Sequence, residues 1–182
     1  MSPEDFSRFF LNLGFSKELV VLVISALPVV ELRLAIPLAI NVYGLPWYYA
    51  LSLALIGNML PVPFLLLFIE NITRWLSKKD FFKKAFNRFV TDTKRRGEII
   101  ERYKLIGLML FVAIPLPATG AWTGSLAAVL FGLKFWHAFL SIGAGVFIAG
   151  VIVTCLSLLG WIGAIIAGIG LIGLAAFSLW KT

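Results

Sequence analysis

Apolar positions dominate the chain, and the few polar ones cut it into segments of unequal length. Residues 19–30 form a twelve-residue uncharged run. As a helix that is about 18 Å, against the roughly 30 Å of a bilayer core, so the run is too short to cross alone. It ends on Glu31 and Arg33, which Pro28 and Pro37 bracket. Segment 17–43 is therefore read as a charged, proline-broken re-entrant hairpin. The alternative is a crossing that holds both charges near mid-membrane, at about 2.5–3.5 kcal/mol each.

Gly44-Leu45-Pro46 reads as a turn, and Trp47, Tyr48 and Tyr49 follow it as an interfacial girdle does. Segment 46–69 reads as a transmembrane helix that Pro61 and Pro63 break or kink, because neither supplies an N–H. Segment 71–102 reads as basic and amphipathic, with Trp75, Phe82, Phe86 and Phe89 at helical spacing over 71–97. Segment 105–132 is a second hairpin: ten apolar residues, a block from Pro115 to Gly124 that is not regular helix, then another short apolar run. Pro115 and Pro117 stop its first arm, and Gly120 and Gly124 allow a tight reversal. Segments 134–159 and 161–180 read as two further spans, hinged near Gly160. Residues 3–13 read as a short interfacial helix, capped by Ser2 with Pro3 in its first turn.

Composition agrees: 60% of the 182 residues are hydrophobic and 14% charged, well below the charged share of soluble domains. The class is all-α integral membrane, one membrane domain over 1–182. Between 71 and 104 stand eleven Lys/Arg against four Asp/Glu, which accounts for the whole net charge of +7. The positive-inside rule makes that loop cytoplasmic, next to an anionic leaflet. Two hairpins and three crossings then place the N-terminus outside and the C-terminus inside. No cleavable signal peptide is read in the first seventeen residues. Cys155, the one cysteine, gives no disulfide or metal cluster and reads as a small hydrophobe. No nucleic-acid partner is expected of a basic loop set between membrane segments.

A shift of 88 residues aligns two parts of the chain. Gly44-Leu45 falls on Gly132-Leu133, Trp47-Tyr48 on Phe135-Trp136, Ala50 on Ala138 and Gly57 on Gly145. One residue off that register, Pro28 falls on Pro115. One crossing separates the two hairpins, so the second starts from the opposite face: an inverted repeat of hairpin plus helix, as in several secondary transporters.

Glu31-Leu32-Arg33 between prolines, the Pro-Leu-Pro-Ala-Thr-Gly-Ala-Trp-Thr-Gly block and the chain length resemble the small multidrug export protein family. That family is distantly similar to the DedA (VTT-domain, SNARE-associated) superfamily. The resemblance implies two facing re-entrant hairpins in a prokaryotic plasma membrane. It also implies translocation of a lipid, a polyprenyl phosphate of the undecaprenyl-phosphate type, with proton coupling. DedA proteins usually carry an arginine in the second hairpin, and residues 105–133 have none.

The candidate site follows from these segments. Arg33 offers a guanidinium fork to a phosphate headgroup, and Glu31 is the candidate proton-coupling carboxylate. The two pair with each other only if the backbone is broken, since helical residues two apart do not face each other. Thr119, Gly120, Thr123 and Gly124 supply hydroxyls and open N–H groups at a helix start, or simply close a turn. Trp122 fills the tip or stacks on an isoprenoid, and Asn58 is a lone intramembrane amide. No catalytic set, nucleotide loop, metal cluster or cofactor motif is present in the sequence, so an enzyme is not expected. The rival readings are a small cation or multidrug exporter and a structural membrane protein held by a salt bridge. A homo-oligomer is left open.

Overall fold

The computed structural model describes residues 15–28, 30–76, 97–115, 119–160 and 163, and every element among them is helical. In chain order these are α1 (Lys17–Ala26), α2 (Glu31–Pro37), a π-helical turn (Leu38–Val42), α3 (Trp47–Met59), α4 (Pro61–Leu76), α5 (Gly97–Ala113), α6 (Ala121–Leu130) and α7 (Phe135–Leu158). The expected helix at 3–13, residues 77–96 of the basic segment and, Gly163 apart, the span 161–180 lie outside the described residues.

Among the described residues two helices are long and apolar enough to cross a membrane, Trp47–Phe68 with 22 residues and Phe135–Leu158 with 24. Both exceed the ~20 residues a bilayer core needs. The first is interrupted at Leu60, between α3 and α4, where the missing N–H groups of Pro61 and Pro63 interrupt the helical ladder. Large apolar side chains such as Phe64, Phe68 and Leu140 are exposed, which suits contact with lipid. Cys155 is exposed on α7, among its apolar side chains. The described residues fall into two units: those up to Asn58 together with those from Ala149, and Met59–Ile148.

In the first unit, Ser16 caps α1 by accepting the Leu19 N–H at 3.3 Å. Helix α1 packs on α2 and on the π turn, and Val20, Val21, Ile24, Leu32, Ala35 and Ile36 are buried. Pro37, read as one of the prolines that break this segment, alters the helix without stopping it. Its missing N–H leaves the Arg33 carbonyl without its usual i+4 donor, and the chain continues as a π turn closed by Tyr43 N–H to Leu38 O at 3.0 Å. Gly44, at φ 66°, then reverses the chain into α3. Helix α3 rests on α1 through Gly57, where a Cβ would overlap Ser25 Oγ and the Leu22 carbonyl. The end of α7 lies against α3, with a Cβ at Gly150 falling 2.8 Å from Leu51 Cδ1.

In the second unit α6 packs on α4 and α5. Helix α5 begins at Gly97, eight residues before the expected start of the hairpin, and α4 runs on to Leu76. Residues Ala121–Gly124, expected to be irregular, are the first turn of α6. Gly120 is extended at φ −91°, so neither glycine makes a left-handed reversal. Gly124 instead permits close packing, since a Cβ there would lie 2.6 Å from Val112 Cγ2. Helix α6 ends in a Schellman motif: Gly132, at φ 66°, donates to Val129 O and Leu133 donates to Ala128 O, both at 3.0 Å. Helix α7 rests on α5 through Gly145, where a Cβ would lie 2.6 Å from the Met109 carbonyl.

The joints of the two units correspond. Gly44 and Gly132 share φ 66°, and α3 and α7 begin at Trp47 and Phe135, 88 positions apart. Gly57 sits on Leu22 and Ser25, and Gly145 on Met109 and Val112, each contact pair shifted by 87 against 88 for the glycines. The buried faces Leu32, Ala35, Ile36, Ala39 and Ala121, Gly124, Ser125, Ala128 match at 89. The one-residue change from 89 to 88 falls at the π turn, which inserts one residue in the first unit only.

Candidate functional site: the Glu31–Arg33 pair and the hairpin turns

Glu31 opens α2 with φ 49°, a left-handed conformation costly for a side chain with a Cβ. Its N–H is held by the Leu27 carbonyl at 3.2 Å. That left-handed residue is the break the pairing requires. Arg33 Nη1 lies 3.5 Å from Glu31 Oε2, although the two are only two positions apart. The Glu31 side chain is 3% exposed and that of Arg33 17%, so the guanidinium is the more accessible member. At 3.5 Å the contact is an ion pair longer than a charge-assisted hydrogen bond of 2.7–2.9 Å. Pro28 is exposed in the link ahead of Glu31, and Pro37 follows Arg33 by one turn.

Asn58 stands on α3 beside Gly57, 1% exposed. Neither its Oδ1 nor its Nδ2 has a hydrogen-bond partner among the described residues. Such a buried amide is rare, because leaving it unpaired costs about 1–3 kcal/mol.

The second tip is built differently. Pro115 follows the end of α5, while Pro117 lies outside the described residues. Thr119 Oγ1 donates to Ile114 O at 2.7 Å, and Thr123 Oγ1 donates to Gly120 O at 3.2 Å. Both hydroxyls thus close the turn onto backbone carbonyls. Trp122 is half-buried at the start of α6, and no side chain caps that helix start. The charged pair has no counterpart here: at the offset of 89, Gly120 and Trp122 stand where Glu31 and Arg33 do. Among the described residues no group of acids, histidines or cysteines could hold a metal.

Two residues that sequence reasoning missed are Lys17 and Lys104. Lys17 Nζ donates to Tyr43 O at 3.4 Å, and Lys104 Nζ donates to Phe131 O at 3.3 Å. Tyr43 and Phe131 cap the second arm of their respective hairpins, so each lysine, Lys17 at the start of α1 and Lys104 within α5, ties the first arm to the carbonyl end of the second. Their spacing of 87 was available in the sequence, within the same register that relates Pro28 to Pro115.

Among the described residues the chain is all-helical, with two helices apolar and long enough to cross a membrane and a buried charged pair at a helix break. Residues 31–152 match the family described as putative small multi-drug export protein, and the chain belongs to that family. The name of the family is that of an exporter, a transporter rather than an enzyme. No curated protein and no solved structure matches the chain.

Proposed function

We propose that the chain is a multi-pass transporter of the prokaryotic plasma membrane that moves a polyprenyl-phosphate-type lipid, with Arg33 on the phosphate and Glu31 as the proton-coupled carboxylate. The observation that carries this reading is the pair itself: Glu31 is buried at a strained φ of 49°, 3.5 Å from a more accessible Arg33. Strain held at a buried charge fits a site better than a bridge that a relaxed helix could make with i,i+4 spacing. The DedA likeness rests on the Glu31–Arg33 and 115–124 motifs.

In this reading 17–43 and 105–132 are re-entrant hairpins. Two of their arms support it: α1 and α6 have ten residues each, about 15 Å of helix, half of a bilayer core, whereas α5 has 17 residues. The single crossing Trp47–Phe68 between them inverts the second hairpin, and the matching glycine and lysine joints support the repeat.

A second reading, favoured by the family's description, is a small drug or cation exporter in which Glu31 binds the cation and Arg33 tunes it. Proteoliposomes separate the two. Translocation of a fluorescent polyprenyl phosphate that is lost in Arg33→Gln supports the first. Efflux of ethidium that is lost in Glu31→Gln, with no lipid movement, replaces it by the second.

A further inference from the structure

Between α5 and α6 lies a cleft of about 480 Å³, lined by Tyr103, Lys104, Gly107, Leu108, Phe111 and Phe131 among others. That volume lies in the range of small-ligand sites. The corresponding place in the first hairpin is far smaller, a pocket of about 50 Å³ along Leu19, Val20, Val23 and Ile24. Val20, Ile24 and Tyr43 stand at the positions of Gly107, Phe111 and Phe131 and are 2%, 2% and 8% exposed. In the second hairpin Phe111 and Phe131 are each 38% exposed, and a Cβ on Gly107 would meet nothing within 4 Å. Both lysines donate to a backbone carbonyl, Lys17 to Tyr43 O and Lys104 to Phe131 O, but their surroundings differ. Lys17 lies 5.9 Å from the centre of the Tyr43 ring, while Lys104 lines the open cleft beside the exposed Tyr103.

The geometry points to a binding site for one anionic phospholipid, with its phosphate at Lys104 and Tyr103 and an acyl chain along Leu108 and Phe111. The walls are apolar, as a chain requires, and the cation stands at one end, as a headgroup requires. Lys104 is also the last of the eleven basic residues of 71–104, which the positive-inside rule assigns to the cytoplasmic face. Anionic lipids are concentrated in that leaflet, and basic pockets between helices there take lipid headgroups. The inference rests on membrane placement and not on lipid transport, so the site stands or falls apart from the role of Arg33.

The test is thermal unfolding of the full chain in neutral detergent, with native mass spectrometry to count bound lipid. Phosphatidylglycerol is expected to raise the unfolding temperature and to remain bound as one molecule, whereas phosphatidylcholine and inorganic phosphate do neither. Lys104→Gln is expected to lose the shift. Gly107→Leu, which fills the cleft and leaves every charge in place, is expected to lose both the shift and the bound lipid while folding as well as the wild type. Lys17→Gln is expected to keep both. An equal shift with phosphatidylcholine, a shift with inorganic phosphate alone, or a bound phosphatidylglycerol that survives Gly107→Leu would overturn the proposal.

Discussion

Gly57 and Gly145 stand 88 positions apart, and each brings its long helix onto the backbone of a first hairpin arm, Leu22 in one unit and Met109 in the other. Neither site has room for a methyl group. Gly57→Ala and Gly145→Ala are each expected to lower stability by about 1–3 kcal/mol, the usual cost of overpacking. Gly107→Ala, where a Cβ meets open space on α5, is expected to gain up to about 1 kcal/mol from helix propensity. Thermal unfolding of the three variants in detergent checks the ranking, and an equal effect at all three positions would refute the packing assignment.

The conformation of Glu31 makes a separate prediction. At φ 49° a glycine is free of the Cβ penalty that alanine keeps. Both substitutions remove the carboxylate and leave Arg33 without it. Glu31→Gly is therefore expected to be more stable than Glu31→Ala by about 1 kcal/mol. The reverse order in unfolding experiments would mean that residue 31 is not left-handed.

Asn58 carries an amide with no partner among the described residues. Asn58→Leu removes that desolvated group and is expected to stabilise the chain by about 1–3 kcal/mol. If the amide serves transport, the same variant also slows it. A variant that is less stable, measured by the same unfolding assay, would show that the amide is held by interactions its geometry does not suggest.

Lys17 ties α1 to the carbonyl of Tyr43 at the end of the π turn. Lys17→Met keeps the aliphatic stem but drops the donor, at an expected cost of about 0.5–1.5 kcal/mol. Hydrogen exchange is expected to quicken at Tyr43 and Leu45, whose N–H groups close that turn onto Leu38 and Ala39. Unchanged protection there would assign the closure to the π turn alone.

Much of this was legible in the sequence because it depends on covalent chemistry. The break before Pro61 follows from a missing N–H and the turn at Gly44 from a left-handed φ, while for Glu31 and Arg33 only the condition was legible, that they pair if the backbone is broken. What was not legible depends on packing. Pro37 announces a defect, but nothing in the sequence says whether the chain stops there or continues as the π turn that packs on α1. Gly124 reads as a turn residue and proves to be a packing residue, because the proximity of Val112 has no signature in sequence. The hydroxyls of Thr119 and Thr123 suited a site and a turn equally, and each donates to a backbone carbonyl of that turn.

The central claim is that Glu31 and Arg33 form a substrate site and not only a bridge. Its most direct test is translocation of a fluorescent polyprenyl phosphate in proteoliposomes by Arg33→Lys and by the exchange Glu31→Arg with Arg33→Glu. Both variants keep one charge of each sign, so a purely structural pair would leave transport intact. Folded protein is expected in both cases, with translocation reduced in Arg33→Lys, where the bidentate fork is lost, and abolished in the exchange. Translocation at the wild-type rate in the exchanged protein would contradict that claim.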